Sequence, residues 1–367
     1  MCFPFFDFPC MRKKAKKDLS KLKILFLLKR REDYSCNIEN FSDFTVATGM
    51  YNSSKFMSDM LNERGIESKV EVVIDNNCID RAVSKYKPTH VFVEGLWVVP
   101  SKFDVLKPLH KNVKWIVRIH SDIPFLATEG VSFGWVHDYL TKGVYVAANS
   151  PRMHKEFLTF SSGFSEKIDK NLLPLLTNFY PKISKQFSKR TSKNELNIGC
   201  FGAVRPLKAH MPQALAAYDY AKKNEKYLKF HINGNRVEGN GSPILKNLRQ
   251  FFENLTDAEL VEHPWNSHEK FLQTIADMDI LLQVSFSETF NIVTADAISQ
   301  RVPVVVSKEV PFLKSNFADP TNTDDISRVI SEVMKKKDCL VYRNKRELDE
   351  YCEKSALLWV EWFKSQI

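Results

Sequence analysis

The chain is 367 residues long, enough for two globular domains at about 100–200 residues each. Its 44% hydrophobic and 26% charged content, with 12 glycines and 16 prolines, excludes a fibrous, low-complexity or wholly disordered protein. The net charge of +9 resembles a nucleic-acid signature until it is located: residues 1–31 hold ten Lys/Arg against Asp7 and Asp18, leaving the rest of the chain at +1.

The first residues place Phe3, Phe5, Phe6 and Phe8 among prolines ahead of a lysine run, the reverse of the charge-then-apolar order of a secretory signal. Two readings stay open for residues 1–20: a disordered extension, as follows if translation begins at Met11, or an aromatic and basic segment making a weak polyanion or membrane-surface contact through residues 1–31. The longest clean apolar run, 24–28, is five residues against about 20 for a bilayer-crossing helix. Seven cysteines, at 2, 10, 36, 78, 200, 339 and 352, are odd in number and lack metal-ligand spacing, so reduced thiols and a cytoplasmic location are expected.

From residue 22 onward, short apolar runs alternate with longer amphipathic ones. The pattern predicts strands over 23–28, 69–74, 89–93, 113–119 and 144–148, with helices near 52–64, 79–86, 101–110 and 151–157. Continuous apolar strands separated by helices imply a parallel sheet covered on both faces. Residues 181–193 carry Lys182, Lys185, Lys189, Arg190 and Lys193, no acid and few apolar groups, the composition of a linker. The alternation then restarts: strands over 196–201, 228–232, 259–262, 280–286 and 302–306, and helices near 212–222, 245–254, 266–276, 291–300 and 324–335. Asn266 and Glu269 stand at capping-box spacing for the third of these helices. A closing amphipathic helix is expected over 346–363. The fold class is therefore α/β, with two Rossmann-like domains facing a cleft. The expected division is a tail (1–20), an N-terminal acceptor domain (21–180), a linker (181–194), a donor domain (195–340) and a C-terminal helix returning to the N-terminal domain (341–367).

Open parallel sheets bind ligands at the carboxyl ends of their strands, so the segments that follow the strands carry the chemistry. The most informative begins Ser285-Phe-Ser-Glu288-Thr-Phe-Asn291-Ile-Val-Thr-Ala-Asp296-Ala and closes on Arg301-Val-Pro303-Val-Val-Val306. A polar loop opens a helix whose first N–H groups and dipole suit an anion. Glu288 and Asp296 suit hydrogen bonding to sugar hydroxyls. On spacing alone, the alternative is that Glu288 complements the helix dipole and Asp296 is solvated on the helix surface.

This stretch resembles the carboxylate-x7-carboxylate motif of GT-B glycosyltransferases, particularly the large retaining family 4, which runs Glu-Gly-Phe-Gly, then Glu-Ala, then Gly-x-Pro-Val-Val. Glu288 matches the first acid, Asp296-Ala297 the second pair, and Pro303-Val304-Val305 the close. Asn291 stands for the second loop glycine and Arg301 for the glycine before x-Pro, and Asp296 is one methylene shorter than Glu. The resemblance implies that Glu288 contacts the donor sugar, that Asp296 contacts the nucleotide ribose, and that the amides of Phe290, Asn291 and Ile292 face the diphosphate. Upstream, Gly202-Ala-Val-Arg205-Pro-Leu-Lys208 is similar to the family's Gly-Arg-Leu-x-x-x-Lys, with the arginine displaced by two positions; the resemblance implies that Arg205 and Lys208 supply the fixed positive charge for a departing diphosphate, and two solvated loop cations are the alternative. Gly49, in Thr48-Gly49-Met-Tyr-Asn52, resembles the glycine-rich loop under the diphosphate. His120, in Arg118-Ile-His120-Ser-Asp122, falls where the family often has a histidine near the reacting centre; a structural histidine is the alternative. Leu176-Thr-Asn178 is similar to the turn before the interdomain crossing.

The resemblance spans residues 22–365. It implies a retaining hexosyl- or pentosyltransferase using a UDP- or GDP-sugar, without a metal or other cofactor, in which the leaving phosphate accepts the acceptor's proton. Softer similarity to members encoded by tailed bacteriophages would make the acceptor a modified base in phage DNA or a glycan, and the compartment the host cytoplasm. Two other functions remain open: an inactive nucleotide- or sugar-binding protein of this fold, and a nucleic-acid-binding protein acting through its basic tail.

Overall fold

Strands without polar alternation must be buried on both faces, and this governs the first half of the chain. The computed structural model describes residues 18–30, 49–164, 168–189 and 194–367; the expectations for residues 1–17, for Thr48 and for 190–193 lie outside them. In β1 (Lys23–Lys29), positions 24–28 are all buried. There follow α1 (Gly49–Glu63), β2 (Glu67–Val73), α2 (Ile79–Tyr86), the wholly buried β3 (His90–Glu94), α3 (Phe103–Leu109), β4 (Lys114–Ile119), α4 (Ile123–Leu126), α5 (Ser132–Thr141), β5 (Tyr145–Ala148) and α6 (Pro151–Ser162). The five strands pair in parallel in the order β2-β1-β3-β4-β5. The order reverses between β1 and β3, a topological switch point.

The second half comprises β6 (Glu195–Gly199), α7 (His210–Lys223), β7 (Tyr227–Ile232), α8 (Ser242–Glu253), β8 (Ala258–Glu262), α9 (His268–Ala276), β9 (Ile280–Gln283), α10 (Ile292–Ser299), β10 (Val304–Val306), α11 (Thr323–Lys335) and α12 (Lys337–Ser365). Its strands pair in parallel as β10-β9-β6-β7-β8, so its switch point lies between β6 and β9. The fold is thus α/β with two Rossmann-like domains, each with its own apolar core.

The 29-residue α12 joins them. Leu348 and Cys352 pack in the second domain's cluster with Phe290 and Ile298. Further along, Ala356, Trp359 and Phe363 pack beneath the first sheet with Ile24, Phe26, Phe92 and Ile116. The crossing segment is tied to the same helix: the carbonyl of Thr177 accepts from Ser355 Oγ (2.8 Å) and from Trp359 Nε1 (2.9 Å).

Every predicted strand is present, with ends displaced by at most three residues. Three expectations for the helices need correction. The α9 cap is Ser267, whose Oγ faces the Lys270 N–H, and not Asn266. Helix α12 begins at Lys337 and not at 346. Helices α4 and α5 were not anticipated: α5 is aromatic and contains Gly134, so its propensity is poor, and burial of Val136, Tyr139 and Leu140 stabilises it instead.

Arg301, which stands where the resembled motif has glycine, takes a backbone conformation that glycine favours. Its φ of 59° is left-handed, one residue past the Gln300 cap of α10. Val302 N bonds Ala297 O at 2.9 Å and Arg301 N bonds Ile298 O at 3.1 Å, the Schellman pattern in which glycine is preferred. An L-residue there costs about 1–2 kcal/mol, partly offset because glycine loses more entropy on folding. Arg301→Gly is therefore expected to raise stability by about 0.5–1 kcal/mol, read as a higher urea midpoint.

Candidate functional site

The β6/β9 switch point places two loops side by side. After β6, Gly202 adopts φ 113°, a conformation that excludes most side chains, and its N–H donates to Asn233 Oδ1 at 3.0 Å. The loop then turns through Arg205, Pro206 and Leu207 to Lys208, and Ala209 at φ 49° precedes α7. After β9 comes the loop that carries Glu288. Phe286 N donates to Leu207 O at 2.9 Å, joining the loops directly. Two buried glutamines clamp them further. Gln213 Nε2 donates to Lys208 O (2.7 Å) while its Oε1 accepts from Val284 N (2.8 Å). Gln283 Nε2 donates to Phe201 O (2.9 Å) while its Oε1 accepts from Asn291 Nδ2 (2.9 Å).

This scaffold brings Lys208 and Glu288 into a partly buried ion pair. Burial opposes the charge on Glu288, but Lys208 and Arg205 outweigh it and hold the carboxyl below its usual pKa. Glu288 also accepts from Asn291 Nδ2 at 3.0 Å. Asn291 itself has φ 65°, the left-handed region that asparagine tolerates better than most L-residues, and its Oδ1 caps α10 by accepting from Thr294 N at 2.9 Å. A residue other than glycine is thus accommodated at this position and gains a capping role. The N–H groups of Phe290, Asn291 and Ile292 have no acceptor among the described residues. Arg205 lies 4.8 Å over the ring of Phe125 from the first domain and reaches Glu238 at 3.4 Å.

The first domain meets this loop with the carboxyl ends of its own strands. A Cβ on Gly49, the first residue of α1, would come within 3.4 Å of Ile292. Thr289 Oγ1 donates to the carbonyl of His120 (2.9 Å) and accepts from Asn149 Nδ2 (3.1 Å). The His120 ring pairs through Nε2 with Glu94, a fully buried carboxylate at the end of β3 that also takes Arg118 Nη1 at 3.1 Å. Burial and Arg118 lower the His120 pKa, and Glu94 only partly opposes them. Two residues on, burial pushes Asp122 up to about 6, although Arg152 beside it pulls the other way. Arg152 also pairs with Glu309, bridging the two domains. Among the described residues, no group of three or more His, Cys, Asp or Glu side chains is placed to hold a metal ion.

Gly49, His120, Gly202, Arg205, Lys208, Glu288 and the 290–292 segment thus converge where the two sheets' carboxyl ends meet. Asp296 stands apart. It is a buried residue of α10, not solvated, and its Oδ1 accepts from Tyr180 OH and pairs with His268 Nε2, both at 2.7 Å. Phe56 of α1 packs edge-on against Tyr180, with centroids 5.3 Å apart, and lies 5.5 Å from His268. Glu94, Gln213 and Gln283 were missed in the sequence. Gln283 left a readable trace, as a polar residue ending the apolar run Ile280-Leu-Leu.

Solved structures share this architecture. An E. coli trehalose-6-phosphate structure bound with UDP-2-fluoro glucose is 9% identical, with a TM-score of 0.66 over 94% of this chain and 98% of that one. Sucrose-phosphate synthase from Thermosynechococcus elongatus is 12% identical, with a TM-score of 0.64 over 94% and 99%. A TarM mutant from S. aureus, in complex with fondaparinux, alpha-GlcNAc-glycerol and UDP, is 16% identical with a TM-score of 0.56; the match covers 77% of this chain and 58% of that longer one. No protein-family model and no curated protein matches the chain. At these identities the likeness is one of fold, and the fold is GT-B.

The Asp296–His268 contact makes a pH prediction. Burial disfavours the charge on His268, but the bond to Asp296 and its carboxylate prevail and raise the His268 pKa above the usual 6.5. The folded state therefore binds the extra proton more tightly than the unfolded chain, so this stabilisation is full below about pH 6.5 and disappears as pH rises through the folded value. Thermal unfolding across pH 6–9 should show a loss of stability toward high pH that His268→Gln removes.

Proposed function

We propose that the protein is a glycosyltransferase that moves a sugar from a nucleotide-sugar donor to an acceptor hydroxyl or base. The observation that carries this reading is the partly buried Lys208–Glu288 pair at the β6/β9 switch point, on a loop whose Thr289 bonds His120 of the other domain. Strand-end crevices at switch points are where open α/β sheets bind ligands. In the ligand-free protein Lys208 neutralises Glu288. A diphosphate carries more charge than one carboxylate, so its arrival draws Lys208 toward the phosphate and frees Glu288 to accept hydrogen bonds from sugar hydroxyls. Arg205 adds a second positive charge, and the free N–H groups at the start of α10 suit an anion. These groups stabilise the negative charge that develops as the anomeric C–O bond breaks.

The sequence resemblance adds the finer points of this proposal: retention at the anomeric carbon, independence of a metal, a UDP- or GDP-sugar, and Asp296 beside the ribose. The last requires Asp296 to exchange Tyr180 or His268 for a ribose hydroxyl, or to contact it through the remaining oxygen. The neighbour bound with UDP-2-fluoro glucose and the TarM complex with UDP make UDP-sugars the first donors to try. On the acceptor side the proposal extends to a glycan or a base in phage DNA, and retention is read from the anomeric form of the product.

The test is a thermal-shift and donor-hydrolysis screen against UDP-, GDP-, ADP- and dTDP-sugars. One donor should raise Tm and be slowly hydrolysed. Lys208→Ala is expected to lower the rate by about 10²–10³-fold, the loss typical of a group that stabilises transition-state charge, and Glu288→Ala to abolish the donor response. A folded protein indifferent to all four donor classes would overturn the proposal. A donor that binds without turnover would leave a binding protein of this fold.

A further inference from the structure

A cavity of about 480 Å³ opens in the first domain between α4, α5 and α6, apart from the loops already described. Its apolar wall is made by Ile123 of α4, Phe133 of α5 and Phe160 of α6, the two rings lying edge-on with centroids 5.2 Å apart. The α6 face supplies the polar groups, Arg152, Glu156 and Thr159, with Lys155 at the exposed rim. Two contacts fix the cavity relative to the Lys208–Glu288 loops. At one end Arg152 pairs with Asp122 and with Glu309 of the second domain. On α4, Ile123 lines the cavity, while Phe125, two residues on, lies 4.8 Å from the Arg205 guanidinium. From Arg152 to Phe160 the helix rises about 12 Å, so the cavity begins at the edge of the cleft and runs away from it along α6.

The lining specifies what fits. Glu156 is half-buried, and its Oε2 has neither solvent nor a hydrogen-bond partner among the described residues. A buried acceptor left unpaired carries a desolvation cost, and the broad terminal torsion of glutamate lets either oxygen turn toward an incoming donor. Thr159 Oγ1 gives its proton to the Lys155 carbonyl at 3.1 Å, so toward a ligand it accepts. The cavity therefore offers acceptors beside an aromatic wall. A pyranose is the complement, with hydroxyl donors around its rim and C–H groups across its face. The charge balance disfavours a polyanion: Arg152 and Lys155 stand with three carboxylates, Glu156, Asp122 and Glu309, and Arg152 is already paired twice. Burial raises the Asp122 carboxyl to about 6 against the pull of Arg152, with the charge of Glu156 adding to the rise, so Asp122 is still ionised at neutral pH.

We infer that this cavity holds a neutral sugar ring of a glycan acceptor, the ring adjoining the one that receives the transferred sugar, with Glu156 and Thr159 accepting from its hydroxyls and Phe133 and Phe160 against its C–H face. The inference rests on the transferase reading above and narrows its acceptor to a glycan of more than one sugar. Glu156 and Thr159 act in binding only, away from the bond that breaks.

The test presents the full chain, without donor, to an array of short neutral oligosaccharides, with duplex DNA as a second probe. At least one oligosaccharide should bind, and Glu156→Ala should bind it about 10–100-fold more weakly, the loss expected when a hydrogen bond to a charged group is removed. An unchanged Tm in Glu156→Ala separates lost binding from lost folding; Thr159→Ala, at an exposed position, gives the same readout by a second route. With the nucleotide sugar that raises Tm in the screen, transfer to that oligosaccharide should show a KM raised by the same factor in Glu156→Ala and a kcat little changed. Binding that Lys155→Ala weakens and Glu156→Ala leaves intact, whether of an oligosaccharide or of the duplex, overturns the inference. A wild type that responds to a donor but binds no oligosaccharide of the array also overturns it, and the transferase reading stands. Oligosaccharide binding through Glu156 in a protein without any donor response removes the acceptor role together with that reading.

Discussion

A guanidinium with no exposed surface needs its charge compensated, and Arg118 is the group around which the first domain and its attachments assemble, with only its Nε left without a partner among the described residues. Leaving such a charge unpaired in the interior costs several kcal/mol, so its partners are obligatory. Glu94 supplies the counter-charge from the adjacent strand, and Asn178 Oδ1 accepts from Nη2. The same Asn178 oxygen accepts from Ser53 of α1 at 3.0 Å. Trp359 lies 5.3 Å beneath the guanidinium, and its indole N–H ties α12 to the neighbouring Thr177 carbonyl. One buried cation thus requires β3, β4, α1, the crossing segment and the returning helix to be in place together. The His120 contact with Glu94 comes from this same cluster, so the ring's orientation is set by the architecture and not by the cleft.

The second domain is organised by the opposite logic. Its charges at the switch point are held by loops under local strain: Ala209 and Asn291, both at positive φ, flank Lys208 and Glu288. Residues in such conformations persist only where their surroundings over-determine them. Gln213 and Gln283 provide that over-determination by using both ends of their amides across the two loops. The result is a rigid cradle with one exchangeable element, the ion pair itself. Removing Lys208 takes away the larger of the two positive charges that hold the Glu288 carboxyl low and leaves Arg205 and Asn291 to stabilise it.

The spacing of apolar runs made the two parallel sheets legible, because a strand buried on both faces has to be written as a continuous apolar segment. The glycine at 202 and the Glu288 loop were legible for a similar reason: they follow strands directly. What the pattern could not carry was side-chain pairing between distant segments. Asp296 reads equally as a solvated helix residue or a ligand contact, and only the fold brings Tyr180 and His268 onto it. Glu94 reads as the polar end of an apolar strand, since its partners are 24 and 26 residues away. Helix α5 was illegible because its stability comes from burial and not propensity, and α12 begins in a lysine-rich stretch with no apolar periodicity.

The two domains are joined very differently on their two sides. Behind the cleft, α12 shares apolar cores with both domains through Cys352 on one and Trp359 on the other, and Tyr180 N bonds Cys352 Sγ at 3.3 Å. Across the cleft the described contacts include polar ones, Thr289 with His120 and Asn149 and Arg152 with Glu309, beside Arg205 over Phe125 and Phe56 against His268. The neutral hydrogen bonds of Thr289 contribute about 0.5–1.5 kcal/mol each and exchange readily for water, whereas separating α12 from either core would expose several large apolar side chains. The firmer attachment is therefore the one behind the cleft, where Thr177 and Asn178 are tied to α12 and to Arg118.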